Sequence, residues 1–186
     1  MSRSMVRLHR GPPIKFSLTE NLIGTQASVI LLVAKWRAWV YIINFVKDYE
    51  LIEHTADIGI RVKAGDLGGI FKNSAMAMFD IIAEKKSQPQ AGSCQLKNLT
   101  IKQSAENLEE LFINWLNELL SLSATKELIF SDFKIDKLDE KNLQAEVTGS
   151  DIKGYRVNVE VKAATYHQLK IGRTVSGWEA EVIFDV

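Results

Sequence analysis

The stretch from Asn107 to Leu120 constrains this chain most. Leu108, Leu111, Phe112, Trp115, Leu116, Leu119 and Leu120 recur at spacings of three and four, the period that an α-helix turns into one continuous face. A face so wide and so apolar has to be covered by other elements of a core. Asn107 stands where its side-chain oxygen can accept a free N–H of the first turn. Glu109 and Glu110 lie where the helix dipole favours acids. A second helix follows from Asp66, again a cap, with Leu67, Ile70, Phe71, Ser74, Ala75, Met78, Phe79 and Ile82 on one face. Gly68 and Gly69 weaken its first turn by about 1 kcal/mol each relative to alanine.

Most of the remainder has the period of strands. Tyr49–Glu53 is a short strand, and Ile58, Ile60 and Val62 alternate with Gly59, Arg61 and Lys63, a half-buried pattern. Residues 87–93, with Pro89 and Gly92, form a loop, and 95–103 read as a strand. Phe130–Leu138 and Leu143–Gly149 are strands joined by the polar turn Asp139-Glu140-Lys141-Asn142. Arg156–Lys162 alternates on Val157, Val159 and Val161, which puts Lys162 at a strand end on the polar face. Tyr166–Ile171 and Trp178–Phe184 complete about seven strands. Two helices and late consecutive hairpins predict an α+β fold, a mainly antiparallel sheet with both amphipathic helices packed on one face.

Charge divides the chain. Residues 1–47 hold seven basic groups against Glu20 alone, and the rest holds 16 basic against 22 acidic residues, a net of −6. An acidic body argues against strong direct binding to nucleic acid, which needs clustered Lys and Arg. The lone Cys94 excludes an internal disulfide, and a reducing cytoplasm suits such a chain. Within the apolar run 27–46, Lys35 and Arg37 each cost about 2.5–3.5 kcal/mol at a bilayer centre, so no clean membrane helix is expected. Residues 1–46 read as an N-terminal extension without a motif, the competing reading being a membrane- or partner-binding helix. The domain then spans 47–186.

Two polar clusters interrupt the strands: Glu53-His54-Thr55-Ala56-Asp57-Ile58-Gly59 and Lys162-Ala163-Ala164-Thr165-Tyr166-His167, the chain ending on Phe184-Asp185-Val186. Buried unpaired, such groups would cost about 2–7 kcal/mol each. Asp57 is either a turn cap or a ligand. Asp185 belongs either to a frayed, solvated end or, with the Val186 carboxylate and Asp57, to a hard-oxygen site for calcium or magnesium. Whether the last strand meets the first cluster decides between them. His54, His167 and Cys94 lack a close ligand pair, so zinc is poorly supported. Lys162 is a solvated strand-end lysine or a contact for a phosphate or an acid. No nucleophile elbow, no cysteine beside a histidine and no glycine-rich phosphate loop is present.

The order E-H-T-A-D-I-G, then K-A-A-T-Y-H, then a terminal F-D-V resembles the archease family, proteins that activate the RNA ligase of tRNA splicing. The resemblance runs from about Lys47 to Val186. It implies that Asp57, Asp185 and Val186 hold a divalent metal, calcium before magnesium. It also implies that Lys162, with His54 and His167 as further candidates, meets the partner or a phosphate. The implied function is that of a non-enzymatic cofactor: an activator of an RtcB-type RNA ligase, promoting formation of the ligase–guanylate intermediate in tRNA splicing or RNA repair. Two alternatives stay open. One is a metal-dependent hydrolase using Asp57 and Asp185, with His54 or His167 as base. The other is a chaperone-like module for RNA-processing enzymes.

Overall fold

The computed structural model describes residues 49–52, 57–88, 92 and 95–186. Within them the order is β1 (Tyr49–Ile52), β2 (Ile58–Ala64), α1 (Leu67–Ile82), β3 (Ala83–Lys85), β4 (Lys97–Ser104) and α2 (Leu108–Lys126). There follow β5 (Leu128–Leu138), β6 (Asn142–Asp151), a 3-10 turn (Ile152–Gly154), β7 (Tyr155–Val157), β8 (Ala163–Thr174) and β9 (Gly177–Asp185). The α+β class holds, and every described ladder is antiparallel. The expected sheet is divided in three: β1-β2-β9-β8, β4-β6-β5 and the ribbon β3-β7.

Both helices start as their caps dictate. The Asp66 carboxylate accepts from Gly69 N at 2.7 Å, and Asn107 Oδ1 accepts from Glu110 N at 2.9 Å. The Glu110 carboxylate reaches back to Glu106 N at 2.9 Å, a near relative of the capping box. Gly69 has a purpose that its low helix propensity hides. A Cβ there would stand 2.7 Å from Ala64 Cβ, so glycine lets the helix start pack on the end of β2. The polar turn between β5 and β6 closes as expected, with Asp139 Oδ1 accepting from Lys141 N and Asn142 N at 2.8 and 2.9 Å.

The core lies where the two helical faces meet the sheets. Ile70, Phe71, Met78, Leu111, Phe112, Trp115, Leu116 and Leu119 are fully buried, each worth about 1.5–3 kcal/mol of transfer free energy. Phe71 meets Phe112 edge-on at 5.3 Å, and Phe79 meets Phe130 at 5.4 Å. Trp115 packs against Phe133 at 6.2 Å and donates its indole N–H to Phe71 O at 3.1 Å. It is a core residue, as its spacing predicts.

Two strand assignments need correction. Arg156–Lys162 is not one strand: β7 stops at Val157, and Asn158 N and Val159 N both turn to Ile82 O, at 2.8 and 3.4 Å. Alternating valines set the burial there, but the chain crosses the end of α1 instead of continuing a ladder. Lys162 therefore ends no strand; it immediately precedes β8. β8 itself starts earlier and runs longer than Tyr166–Ile171, and its register jumps between Thr165 and Lys170, a wide bulge in which Gln168 takes a φ of 52°.

Candidate metal and partner site

β2 and β9 bring the two distant aspartates to one end of the four-stranded sheet. The ladder pairs Ile58 with Phe184. Asp57 precedes Ile58 and Asp185 follows Phe184, so in antiparallel strands the two adjoin the same final rung. Alternation puts Asp185 on the face opposite the core-facing Val182 and Phe184, and Asp57 stands one residue before β2. The chain end is not frayed: β9 runs through Asp185, whose rung partner on β8 is Ala163. Val186 packs its half-buried side chain against the core.

Lys162 fastens this end from the other side. Its backbone N–H donates to Asp185 O at 2.8 Å, and its ammonium donates to Val186 O at 2.9 Å. A cation thus sits against the terminal residue. Thr165 adds a third tie, its hydroxyl donating to Ile183 O at 3.1 Å. Asp57, Asp185, Val186 and Lys162 are therefore brought together by the fold. His167 lies in the β8 bulge, between the Thr165–Ile183 and Lys170–Glu181 rungs. His54 and Cys94 lie outside the described residues.

The donor chemistry suits a hard divalent cation. Two aspartate carboxylates and the main-chain oxygen of Val186 offer oxygen alone, the ligand type of calcium and magnesium. Among the described residues no three His, Cys, Asp or Glu side chains gather as a ligand group.

Further along the same strands, a row of alternating charge crosses the outer face of the sheet. Glu50, Arg61, Glu181 and Lys170 stand in register on β1, β2, β9 and β8. Arg61 and Lys170 each reach Glu181 at 2.7 Å, and Arg61 reaches Glu50 at 3.3 Å. The hydrogen bonds from Lys170 and then Arg61 hold the Glu181 carboxyl below its ordinary value, and the bond to Glu181 raises Arg61. A cavity of about 500 Å³ opens elsewhere, between the end of α1 and β5, lined in part by Phe79, Asp80, Glu84, Ser131 and Tyr155; Asp57, Asp185 and Lys162 do not border it.

Sequence reasoning missed Asn117. Its amide on α2 bonds both main-chain groups of Ala164, in β8 beside the site. A signal was there: asparagine is a poor helix former in the middle of the strongest helix.

The model of the Archease protein family (MTH1598/TM1083) matches residues 49–186. The chain belongs to the archease family. Protein archease of Methanosarcina barkeri is 34% identical over 146 residues, 75% of this chain and 97% of the relative. That of Pyrococcus furiosus is 35% identical over 153 residues, 76% of this chain and all of the relative. The solution structure of Methanobacterium thermoautotrophicum protein 1598 matches with a TM-score of 0.57 at 30% identity, covering 76% of this chain and all of that one. The crystal structure of the Thermotoga maritima archease shares the fold, with a TM-score of 0.51 at 22% identity over 74% of this chain and 96% of that one. No helix of the described residues is long and apolar enough to cross a membrane.

Proposed function

We propose that this archease is a non-enzymatic activator of an RtcB-type RNA ligase, promoting ligase guanylation and so sustaining turnover in tRNA splicing or repair. In this reading Asp57, Asp185 and the Val186 carboxylate hold a divalent ion, calcium before magnesium, and Lys162 faces the partner or one of its phosphates. The observation that supports it is the fixed position of residues 185 and 186: Asp185 is a ladder residue and the main-chain oxygen of Val186 accepts from Lys162, so oxygen donors there are held in place. When bound, the ion supplies concentrated positive charge for anionic oxygens of the partner. Asp57 and Asp185 bring their charge on neighbouring strands of one sheet, so little ordering is left for binding. Lys162 orients the main-chain oxygen of Val186 and offers the donor that a phosphate or carboxylate requires.

The Thermotoga maritima protein is described as an archease and possible chaperone, which is compatible with action on another protein. The test is a guanylation assay of the cognate ligase with GTP, with and without this protein, beside assays of this protein alone. Faster guanylation with no activity of the isolated protein is expected. Hydrolysis by this protein alone, with no effect on the ligase, would overturn the reading.

A further inference from the structure

The edge of β8 is closed by a side chain. β8 is an outer strand of its sheet, and Ala164 within it is 3% exposed. A buried main-chain N–H or C=O left without a partner costs about 1–3 kcal/mol. Asn117, projecting from α2, meets both: its Oδ1 accepts from Ala164 N at 2.8 Å, and its Nδ2 donates to Ala164 O at 3.1 Å. The amide offers one donor and one acceptor side by side, as the main chain of a further strand would. A strand neighbour at this edge would need open space, whereas one amide fits beneath a packed helix.

The position of this clamp matters. Ala164 follows Ala163, the rung partner of Asp185, and lies two residues beyond Lys162. Lys162 in turn holds Asp185 O and Val186 O. A short path therefore runs from the half-buried Asn117 on α2 to both terminal residues: hydrogen bonds to Ala164, two residues of main chain back to Lys162, and the Lys162 bonds to Asp185 O and Val186 O. The bulge of β8 begins just past Thr165, so the ladder gives no regular support on that side, and Asn117 supplies it at the last regular turn of the strand.

We infer that Asn117 is a positioning residue: through Ala164 it sets where β8 presents Lys162 and the chain end, and hence how the Asp185 and Val186 carboxylates stand toward Asp57. Its link to ion affinity rests on the ion site proposed above. Side chains that orient metal ligands from one shell further out lower affinity by about 10–100-fold when removed, and Asn117→Ala is expected at the lower end of that range.

The experiment is calcium titration by calorimetry on the full chain, Asn117→Ala, Asn117→Ser and Asp57→Ala. Amide exchange and the amide resonances of Lys162, Ala164, Asp185 and Val186 are recorded for each folded form. Expected are a protected Ala164 amide in the unaltered protein, its loss of protection in both Asn117 variants, displaced Asp185 and Val186 resonances, and calcium affinity lower by about tenfold. If Asp57→Ala loses calcium and the Asn117 variants bind it as the unaltered chain does, Asn117 positions nothing and the ion site stands. If Asp57→Ala binds calcium undiminished, the ion reading falls instead, and the terminal resonances decide: displaced in Asn117→Ser they support the clamp, unmoved they overturn it. Fast exchange of Ala164 in the unaltered protein overturns it without any substitution.

Discussion

Val186 joins two roles in one residue: its side chain packs against the core and its main-chain oxygen is held by Lys162. A C-terminal tag would turn the carboxylate into a neutral amide and add bulk beside Asp185. Calcium sites accept carbonyl ligands, but affinity follows the number of charged ones. Calorimetry should therefore find weaker calcium binding for a C-terminally tagged chain than for the untagged one, and no change for an N-terminal tag. Equal affinity in all three would remove the terminal carboxylate from the ligand set. Asp57 makes a complementary case. It lies at the strand end, outside the hydrophobic core, so Asp57→Ala should leave the melting temperature nearly unchanged. The same variant should abolish stimulation of ligase guanylation; a folded variant that still stimulates would sink the metal-centred mechanism.

Among the elements, the four-stranded sheet derives part of its register from the charge row on its outer face. A one-residue slip of β9 would carry Glu181, whose side chain is only 13% exposed, away from both its cations. Its carboxyl is held below the ordinary glutamate value of 4.5, chiefly by the Lys170 and Arg61 hydrogen bonds. A depressed value means that the stabilisation is complete above pH 4.5 and disappears as pH falls through the folded-state value. Glu181→Gln should lower the melting temperature at neutral pH, by an amount corresponding to about 1 kcal/mol or less given solvent screening. It should also flatten the decline below pH 4.5; thermal melts of both proteins across that range check it. The junction of the two helices is less forgiving. Trp115→Phe removes the indole donor to Phe71 O and leaves a void against Phe133, a loss of about 1–3 kcal/mol measurable by denaturant unfolding.

For the whole molecule, the family match begins at Tyr49, and the opposite charge of residues 1–47 sets them apart from an acidic body. A chain starting at Lys47 should fold and stimulate the ligase as the full chain does. Aggregation of the shortened chain, or loss of stimulation, would make residues 1–46 part of the functional unit. The negative body also suits a partner surface bearing metal or basic groups, and stimulation should then weaken as salt screens the approach.

The amino-acid sequence by itself determined the local elements. Both helices follow from their periodic faces and from Asp66 and Asn107, because a cap and an apolar stripe act within a few residues of chain. The β5–β6 hairpin follows for the same reason. The aspartates and Lys162 could be named from their residue order, through the family they resemble. Only the tertiary structure decided how they meet. That Asp57 and Asp185 adjoin one rung depends on β2 choosing β9 over 100 residues away, a pairing that no local pattern encodes. The division of the sheet, the β8 bulge that holds His167, and the chain's departure from strand after Val157 were likewise invisible. In each case a long-range contact overrides alternation: the carbonyl of Ile82 draws off the main chain at Asn158, and the Asn117 amide replaces a strand at Ala164. Alternation in sequence reports which side chains are buried, whereas hydrogen-bond partners across the chain report which backbone they are buried against.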